Sequence, residues 1–259
     1  MIDTHCHILP GIDDGARDMS ESLAMVKTCV ATGVSHAVCT PHLTDDPSAF
    51  IPQAKRAFSE VRLAASLRGI RLDLGLGYEV DLNLLAEFDP ASILSCTFGF
   101  GRPILLLETP YAGWPRWADR ALFDLRLREI TPILAHPERN EGFQRQPERL
   151  SELARQGVVL QITVPSLLGQ FGRKARDAAL RHLSRGEAAL LASDVHYGRL
   201  ETATLQNGAA EVRRLFPHYP VERLVEENPR RLLAGHPLLP PALAGRGDRW
   251  TACLRKRMR

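Results

Sequence analysis

No run of Ile, Leu and Val in this 259-residue sequence exceeds the four residues Ile104–Leu107, far below the roughly 20 apolar residues that a membrane-spanning helix requires. Membrane insertion is therefore not expected. Cysteine is sparse and unpatterned: Cys6, Cys29, Cys39, Cys96 and Cys253 are odd in number, scattered, and form no Cys-x-x-Cys, which argues against a disulfide framework and a zinc ribbon. No Gly-x-Gly-x-x-Gly follows a predicted strand, which removes the commonest dinucleotide-binding reading. The start, Met-Ile-Asp-Thr-His, has neither the basic segment nor the apolar core of a secretory leader, so a cytoplasmic chain is expected. What is present, 44% hydrophobic and 24% charged residues, matches a globular enzyme and excludes disorder.

The formal charge of +3 is unevenly spread, because residues 246–259 hold six Lys and Arg against one Asp and leave the remainder at −2. A body so near neutrality lacks the basic surface of a nucleic-acid-binding domain, and no nucleic-acid partner is expected. The end of the chain, with Pro240-Pro241 and little apolar periodicity, reads as a weakly packed basic tail over 237–259, since few apolar groups are there to offset the ordering entropy.

Short aliphatic runs alternate with amphipathic segments, the pattern of βα units around a parallel sheet. Strands are expected at Ile2–Ile8, Val34–Thr40, Ile70–Tyr78, Ile104–Glu108, Thr131–His136, Val158–Thr163 and Ala188–Ser193. Helices are expected at Ser20–Thr32, closed by Gly33, and at Pro147–Gln156, opened by its proline and closed by Gly157. Seven strands in βα order suggest an α/β barrel, with an open doubly wound sheet as the alternative.

Side-chain alternation along Ile2-Asp3-Thr4-His5-Cys6-His7 places Asp3, His5 and His7 on one face. Paired buried imidazoles are costly without a proton partner or a metal. Further candidate ligands fall at strand ends: His42 after Thr40-Pro41, Glu79 after Gly77-Tyr78, Glu108 ending Ile104–Leu107, His136 ending Pro132–Ala135, Asp194 after Ala188–Ser193, and His196 two residues on. Asp14 follows the first strand. The C-terminal rim of an α/β barrel is where loops from every strand meet and active sites are built. These nine imidazole and carboxylate groups exceed what one ion can use and suit two or three carboxylate-bridged ions, with manganese, iron and zinc as candidates. All-oxygen magnesium or calcium sites are disfavoured by the five histidines among them. His36, His182, His218 and His236 lack this placement and read as ordinary residues.

Such a cluster lowers the pKa of a bridging water and neutralises phosphoryl oxygens during in-line attack, so hydrolysis is the chemistry indicated. A phosphate dianion also calls for arginine forks. Arg139, three residues beyond His136, and Arg199, three beyond His196, are the candidates, with surface ion pairing as the plain alternative.

His5-Cys-His7-Ile-Leu-Pro-Gly-Ile-Asp-Asp14-Gly, Thr40-Pro-His42, Gly77-Tyr-Glu79, Leu107-Glu108-Thr-Pro, Ala135-His136-Pro-Glu-Arg139, Ser166-Leu-Leu-Gly-Gln-Phe-Gly and Ala192-Ser-Asp194-Val-His196 together resemble the manganese-dependent bacterial protein-tyrosine phosphatases of the PHP superfamily. The motifs span residues 1 to about 200 and continue weakly to Asn228-Pro-Arg-Arg-Leu-Leu. The resemblance implies a distorted seven-stranded (β/α) barrel over residues 1–236, a site of three manganese ions, and dephosphorylation of the tyrosine autokinase that controls capsule or exopolysaccharide export. Every ligand position of the family pattern is filled; Val164-Pro165 depart from it, standing where small residues are usual. A small-metabolite phosphatase on the same fold, for histidinol phosphate for instance, is the runner-up, followed by an inactive metal-stabilised protein that only binds the kinase.

A competing signature, Cys96-Thr-Phe-Gly99-Phe-Gly-Arg102, matches the Cys-x-x-Gly-x-x-Arg loop of cysteine-dependent phosphatases. That loop works by opening a helix whose amides bind phosphate and depress the thiol pKa. Here Pro103 and a predicted strand follow instead, so an unreactive thiol is expected.

Overall fold

The aliphatic runs become short parallel strands: β1 (Ile2–Cys6), β2 (His36–Cys39), β3 (His42–Leu43), β4 (Asp73–Leu76), β5 (Glu79–Asp81), β6 (Ile104–Glu108), β7 (Thr131–Ala135), β8 (Val159–Thr163) and β9 (Ala188–Ala192). The computed structural model describes residues 1–239. Within them the strands form one sheet of three in the order β1-β2-β4 and one of six in the order β3-β5-β6-β7-β8-β9. The α/β class is as expected, but nine strands replace the seven predicted, and their pairing is divided between two sheets.

The extra strands have a local cause. Pro41 has no N–H to donate, so the strand predicted over 34–40 stops at Cys39 and resumes as β3. Beside it the run 70–78 shrinks to β4, and the chain resumes pairing as β5. Gly77 N and Glu79 N donate across the gap to the carbonyls of Cys39 and Pro41, at 2.9 and 3.1 Å. Gly77 is required there, since a Cβ would stand 2.7 Å from the Phe98 ring. The two sheets also meet at the other edge: Cys6 bridges Val195 in parallel, and His7 N donates to Val195 O at 3.1 Å.

Alternation along the strands sorts the core. Leu105, Leu107, Leu134, Leu160 and Ile162 join a large cluster with the helices, whereas Ile104, Leu106, Ile133, Ala135, Val159 and Leu190 join a smaller one. That smaller cluster also takes Ile2 and Val38 from the three-stranded sheet, with Leu232 and Leu233 from the helix Asn228–Leu233. Each fully buried leucine is worth about 1.5–3 kcal/mol relative to exposure.

Both helix punctuation marks hold. Asp18 caps Met19–Ala31 by accepting from Glu21 N, and Gly33 ends it at φ +82°, with Val34 N bonding back to Cys29 O at 2.9 Å. Pro147–Arg155 opens on its proline and ends before Gly157 at φ +91°. No helix among the described residues is long and apolar enough to cross a membrane. Of the predicted tail, residues 237–239 lie against Asn228–Leu233, where Leu239 N donates to Asn228 Oδ1 at 2.9 Å and Arg231 Nε to Pro237 O at 2.6 Å; residues 240–259 lie outside the described residues.

Candidate metal centre

The strand ends and starts gather the nominated side chains in one place. His5 lies in β1 and His7 just beyond it; His42 and Glu79 open β3 and β5 and stand opposite each other in register; Glu108 ends β6, His136 follows β7, and Asp194 and His196 follow β9. Three groups could each hold a metal ion, their donor atoms lying within 4.8 Å of one another: His7, Asp14, His42 and His196; His5, His7 and Glu79; and His42, Glu79 and Glu108. His7, His42 and Glu79 are shared between groups. The remaining two nominated ligands adjoin them, His136 Nε2 donating to Glu79 Oε1 at 2.9 Å and Asp194 Oδ1 lying 3.5 Å from both His5 Nε2 and His7 Nε2.

The outward ring nitrogens are fixed by acceptors behind them. His5 Nδ1 donates to Gln161 Oε1 at 2.8 Å, and the Gln161 amide donates to Thr4 Oγ1 at 2.9 Å, which sets its orientation. His7 Nδ1 donates to Asp13 Oδ2 at 2.7 Å. In the neutral imidazole that a metal requires, the one proton then sits on Nδ1, so both Nε2 atoms present lone pairs, and they face each other at 3.0 Å; without an ion, and against their burial, the surrounding carboxylates favour protonated His5 and His7 instead. Two lone pairs at that separation repel unless a proton or a metal ion lies beside them. Glu79 Oε2 points at the same spot, 3.0–3.5 Å from His42 Nδ1, His5 Nε2 and His7 Nε2, and neither it nor His42 Nδ1 forms a hydrogen bond although both are buried. Buried polar atoms left so are rare in folded proteins, and a bound ion is one partner that would satisfy these two. The donors fit nitrogen- and oxygen-liganded divalent metals.

Charge and backbone are both under constraint here. Without an ion, burial pushes the Glu79 carboxyl up, but the charge of His5, the hydrogen bond from His136 and the close imidazole of His42 outweigh it and hold the group well below the usual carboxylate range. Asp194 is likewise lowered, the charge of His5 and the nearby His7 ring overcoming its burial. Burial opposes protonation of His42, yet the carboxylates of Glu108 and Glu79 beside it raise it to about 10. His136 and Asp194 adopt left-handed backbone at φ +37° and +49°, which costs a non-glycine residue about 1–3 kcal/mol and occurs where surrounding structure insists on it. His136 N to Gln161 O and Asp194 N to His5 O, both 3.0 Å, supply that insistence.

At the rim, Arg139 lies over two rings, its Cζ 4.4 Å from the Tyr111 centroid and 3.8 Å from that of Phe171, and its Nη2 donates to the Tyr111 hydroxyl at 2.7 Å. Its Nη1 is 3.7 Å from Asp194 Oδ2, which brings the guanidinium to the edge of the ligand cluster. Arg199 is exposed, with its Cζ 4.8 Å from the same Phe171 ring.

Cys96 is elsewhere in character. It caps the C-terminus of the helix Pro90–Ser95, is fully buried, and burial pushes its thiol up. Gly99 to Arg102 form a turn, after which Phe98 and Ile104 pair antiparallel, so no helix N-terminus faces this sulfur. Asp13 and Phe171 stand in the family-like motifs with no role expected of them, and Gln161 and Tyr111 lie outside those motifs. Gln161 did carry a signal, a polar residue inside the buried strand Val159–Thr163. Asp13 was masked by its neighbour Asp14. Gly15 forces that loop close, because a Cβ there would stand 2.1 Å from His7 O, and Asp13 Oδ1 accepts from Gly15 N at 3.0 Å.

Known proteins are similar to this chain in sequence and fold. It is 34% identical over 199 residues to the tyrosine-protein phosphatase YwqE of Bacillus subtilis (strain 168), covering 76% of this chain and 77% of that one. It is 24% identical over 242 residues to the tyrosine-protein phosphatase CpsB of Streptococcus pneumoniae, covering 90% and 98%. A crystal structure from the pair YwqE and CpsB, described as unique metal-dependent tyrosine phosphatases, superposes with a TM-score of 0.78 at 27% identity, over 95% of this chain and 100% of its own. The CpsB/CapC profile matches residues 1–234, and the chain belongs to this family of capsular polysaccharide synthesis proteins.

Proposed function

We propose that this chain is a metal-dependent phosphomonoesterase that hydrolyses phosphotyrosine on protein, with a bacterial tyrosine autokinase controlling capsule or exopolysaccharide synthesis as its substrate, in the cytoplasm. The observation that carries the reading is the pair of buried imidazole Nε2 atoms, 3.0 Å apart, beside Glu79 Oε2, in a chain of the CpsB/CapC family. His5, His7, Asp14, His42, Glu79, Glu108, His136, Asp194 and His196 are the ligands in this reading, for three manganese ions, with iron or zinc as substitutes. The Cys6–Val195 bridge and the core cluster common to both sheets support treating the strands as one distorted seven-stranded barrel, β2 with β3 and β4 with β5 each counting as one interrupted strand. Residues 1–236 are its domain, and the basic tail is an appendage.

When bound, the metal would supply a water ionised near neutral pH and offset charge on the phosphoryl oxygens. The chain's own groups do the rest. Gln161 and Asp13 keep the His5 and His7 protons on Nδ1, leaving Nε2 free for ligation. Arg139, and Arg199 beside it, fork the phosphate with paired N–H groups. The tyrosinate that departs has a phenol pKa of about 10 and needs little proton donation. Chelation should abolish turnover of a phosphotyrosyl peptide and manganese should restore it; full activity of metal-free protein, or faster turnover of histidinol phosphate than of the peptide, would overturn the reading.

A further inference from the structure

Phe171 takes no part in the ligand cluster, yet it is the one ring that both candidate phosphate arginines touch, Arg139 Cζ at 3.8 Å and Arg199 Cζ at 4.8 Å from its centroid. The two arginines come from different loops, one after β7 and the other after β9. Bringing two guanidinium groups to one ring costs Coulomb repulsion, which Asp194 Oδ2, 3.7 Å from Arg139 Nη1, offsets on the Arg139 side alone. An aromatic face attracts a cation without itself occupying the N–H groups, so what Phe171 holds it leaves able to donate, apart from the Arg139 Nη2 bond to the Tyr111 hydroxyl.

The segment that presents the ring is rigid. Between the helical turn Val164–Leu167 and the helix Gly172–Ser184, Leu168 N, Gly169 N and Gln170 N bond back to the carbonyls of Val164, Ser166 and Pro165, at 2.9, 3.0 and 2.9 Å. Gly169 and Gly172 flank Phe171 at φ +82° and +85°, a conformation that other residues adopt only at a cost, and Arg176 Nε locks the turn by donating to Leu167 O at 3.0 Å. Tyr111 closes the far side, covering Arg139 while its ring lies nearly parallel to that of His136, 11° between planes. A ring in contact with both cations holds them for a dianion before it arrives, which lowers the entropy lost on binding.

We propose that Phe171 is a positioning residue that aligns Arg139 and Arg199 as one phosphate clamp. The proposal rests on the phosphatase reading for its substrate, but the clamp itself can be read with inorganic phosphate alone. In manganese-loaded protein, Phe171→Leu keeps apolar bulk and removes the π face. Its dissociation constant for inorganic phosphate, measured by calorimetry, should rise roughly tenfold, with KM for a phosphotyrosyl peptide rising in parallel, kcat less affected and bound manganese unchanged. Phe171→Tyr should restore wild-type binding. In an Arg139→Ala, Arg199→Ala background the leucine substitution should have no further effect, because the ring then has nothing to hold. Wild-type phosphate affinity in Phe171→Leu, or an equal loss in the background lacking both arginines, would overturn the proposal; if the leucine variant does not fold, Phe171→Met is read by the same criteria. Wild-type protein that binds phosphate, and loses it on the leucine substitution, but turns over no phosphotyrosine would uphold the clamp and overturn the phosphatase reading instead.

Discussion

Replacing Asp13 by Asn removes one charge at almost constant shape and probes how His7 is oriented. In the folded protein burial works against the Asp13 carboxylate, but its hydrogen bond and charge interaction with His7, and backbone donors, bring its pKa down to about 2. It accepts from His7 Nδ1 at 2.7 Å, from His42 N at 3.1 Å and, through its other oxygen, from Gly15 N at 3.0 Å. An amide can serve only one side. With its oxygen toward His7 and His42, the NH2 meets Gly15 N–H; reversed, it meets both of the others. Loss of such an outer partner usually costs 10–100-fold in metal affinity, about 1.4–2.7 kcal/mol. Asp13→Asn should therefore need 10–100-fold more free manganese than wild type to reach half-maximal turnover of a phosphotyrosyl peptide, while kcat at saturating metal falls less. Asp13→Ala should in addition lower stability, since two backbone N–H groups lose their acceptor at about 1–3 kcal/mol each. The assay is a manganese titration of chelated protein, followed by activity and by melting temperature. Superimposable titrations for wild type and Asp13→Asn would refute the idea that this carboxylate orients His7.

Arg139→Ala should cost about 1.5–3 kcal/mol of transition-state stabilisation, the range for charge-assisted hydrogen bonds, and Arg139→Lys should recover only part of it, because a point charge cannot reproduce a planar fork; wild-type kcat/KM in the alanine variant would dismiss the role. Cys96→Ser should keep near-normal turnover per folded, metal-loaded molecule, as expected of a buried thiol at a helix C-terminus; a collapse of activity with metal still bound would revive a cysteine mechanism. In chelated protein His42 has a pKa raised from 6.5 to about 10 by Glu108 and Glu79 against its burial. The stability this adds is complete below about pH 6.5 and is lost as pH rises through about 10, so the metal-free protein should melt at falling temperature across that window. Manganese needs the neutral ring, so its affinity should rise with pH over the same range as protons are released. A flat melting profile of chelated protein from pH 6.5 to 10 would count against this charge state of His42.

The sequence by itself determined the class of fold and the choice of chemistry. Strand alternation in β1, the aliphatic runs of β6 to β9 and the caps at Gly33 and Gly157 are local signals, set by periodicity and by backbone preferences that need no distant partner. The ligand types were legible because His and carboxylate at successive strand ends form a regular pattern. Breaks at Pro41 and Gly77 were less visible, since β3 and β5 are two and three residues long and too short to show a period. Only the tertiary structure decided which nitrogen of each histidine faces inward, because Gln161 lies 156 residues from His5 and its effect depends on the register of β8. Only it joined Arg139, Arg199 and Phe171, which come from three separate loops. Their association depends on ring and guanidinium meeting within a few ångströms, a through-space interaction that leaves no spacing in the chain.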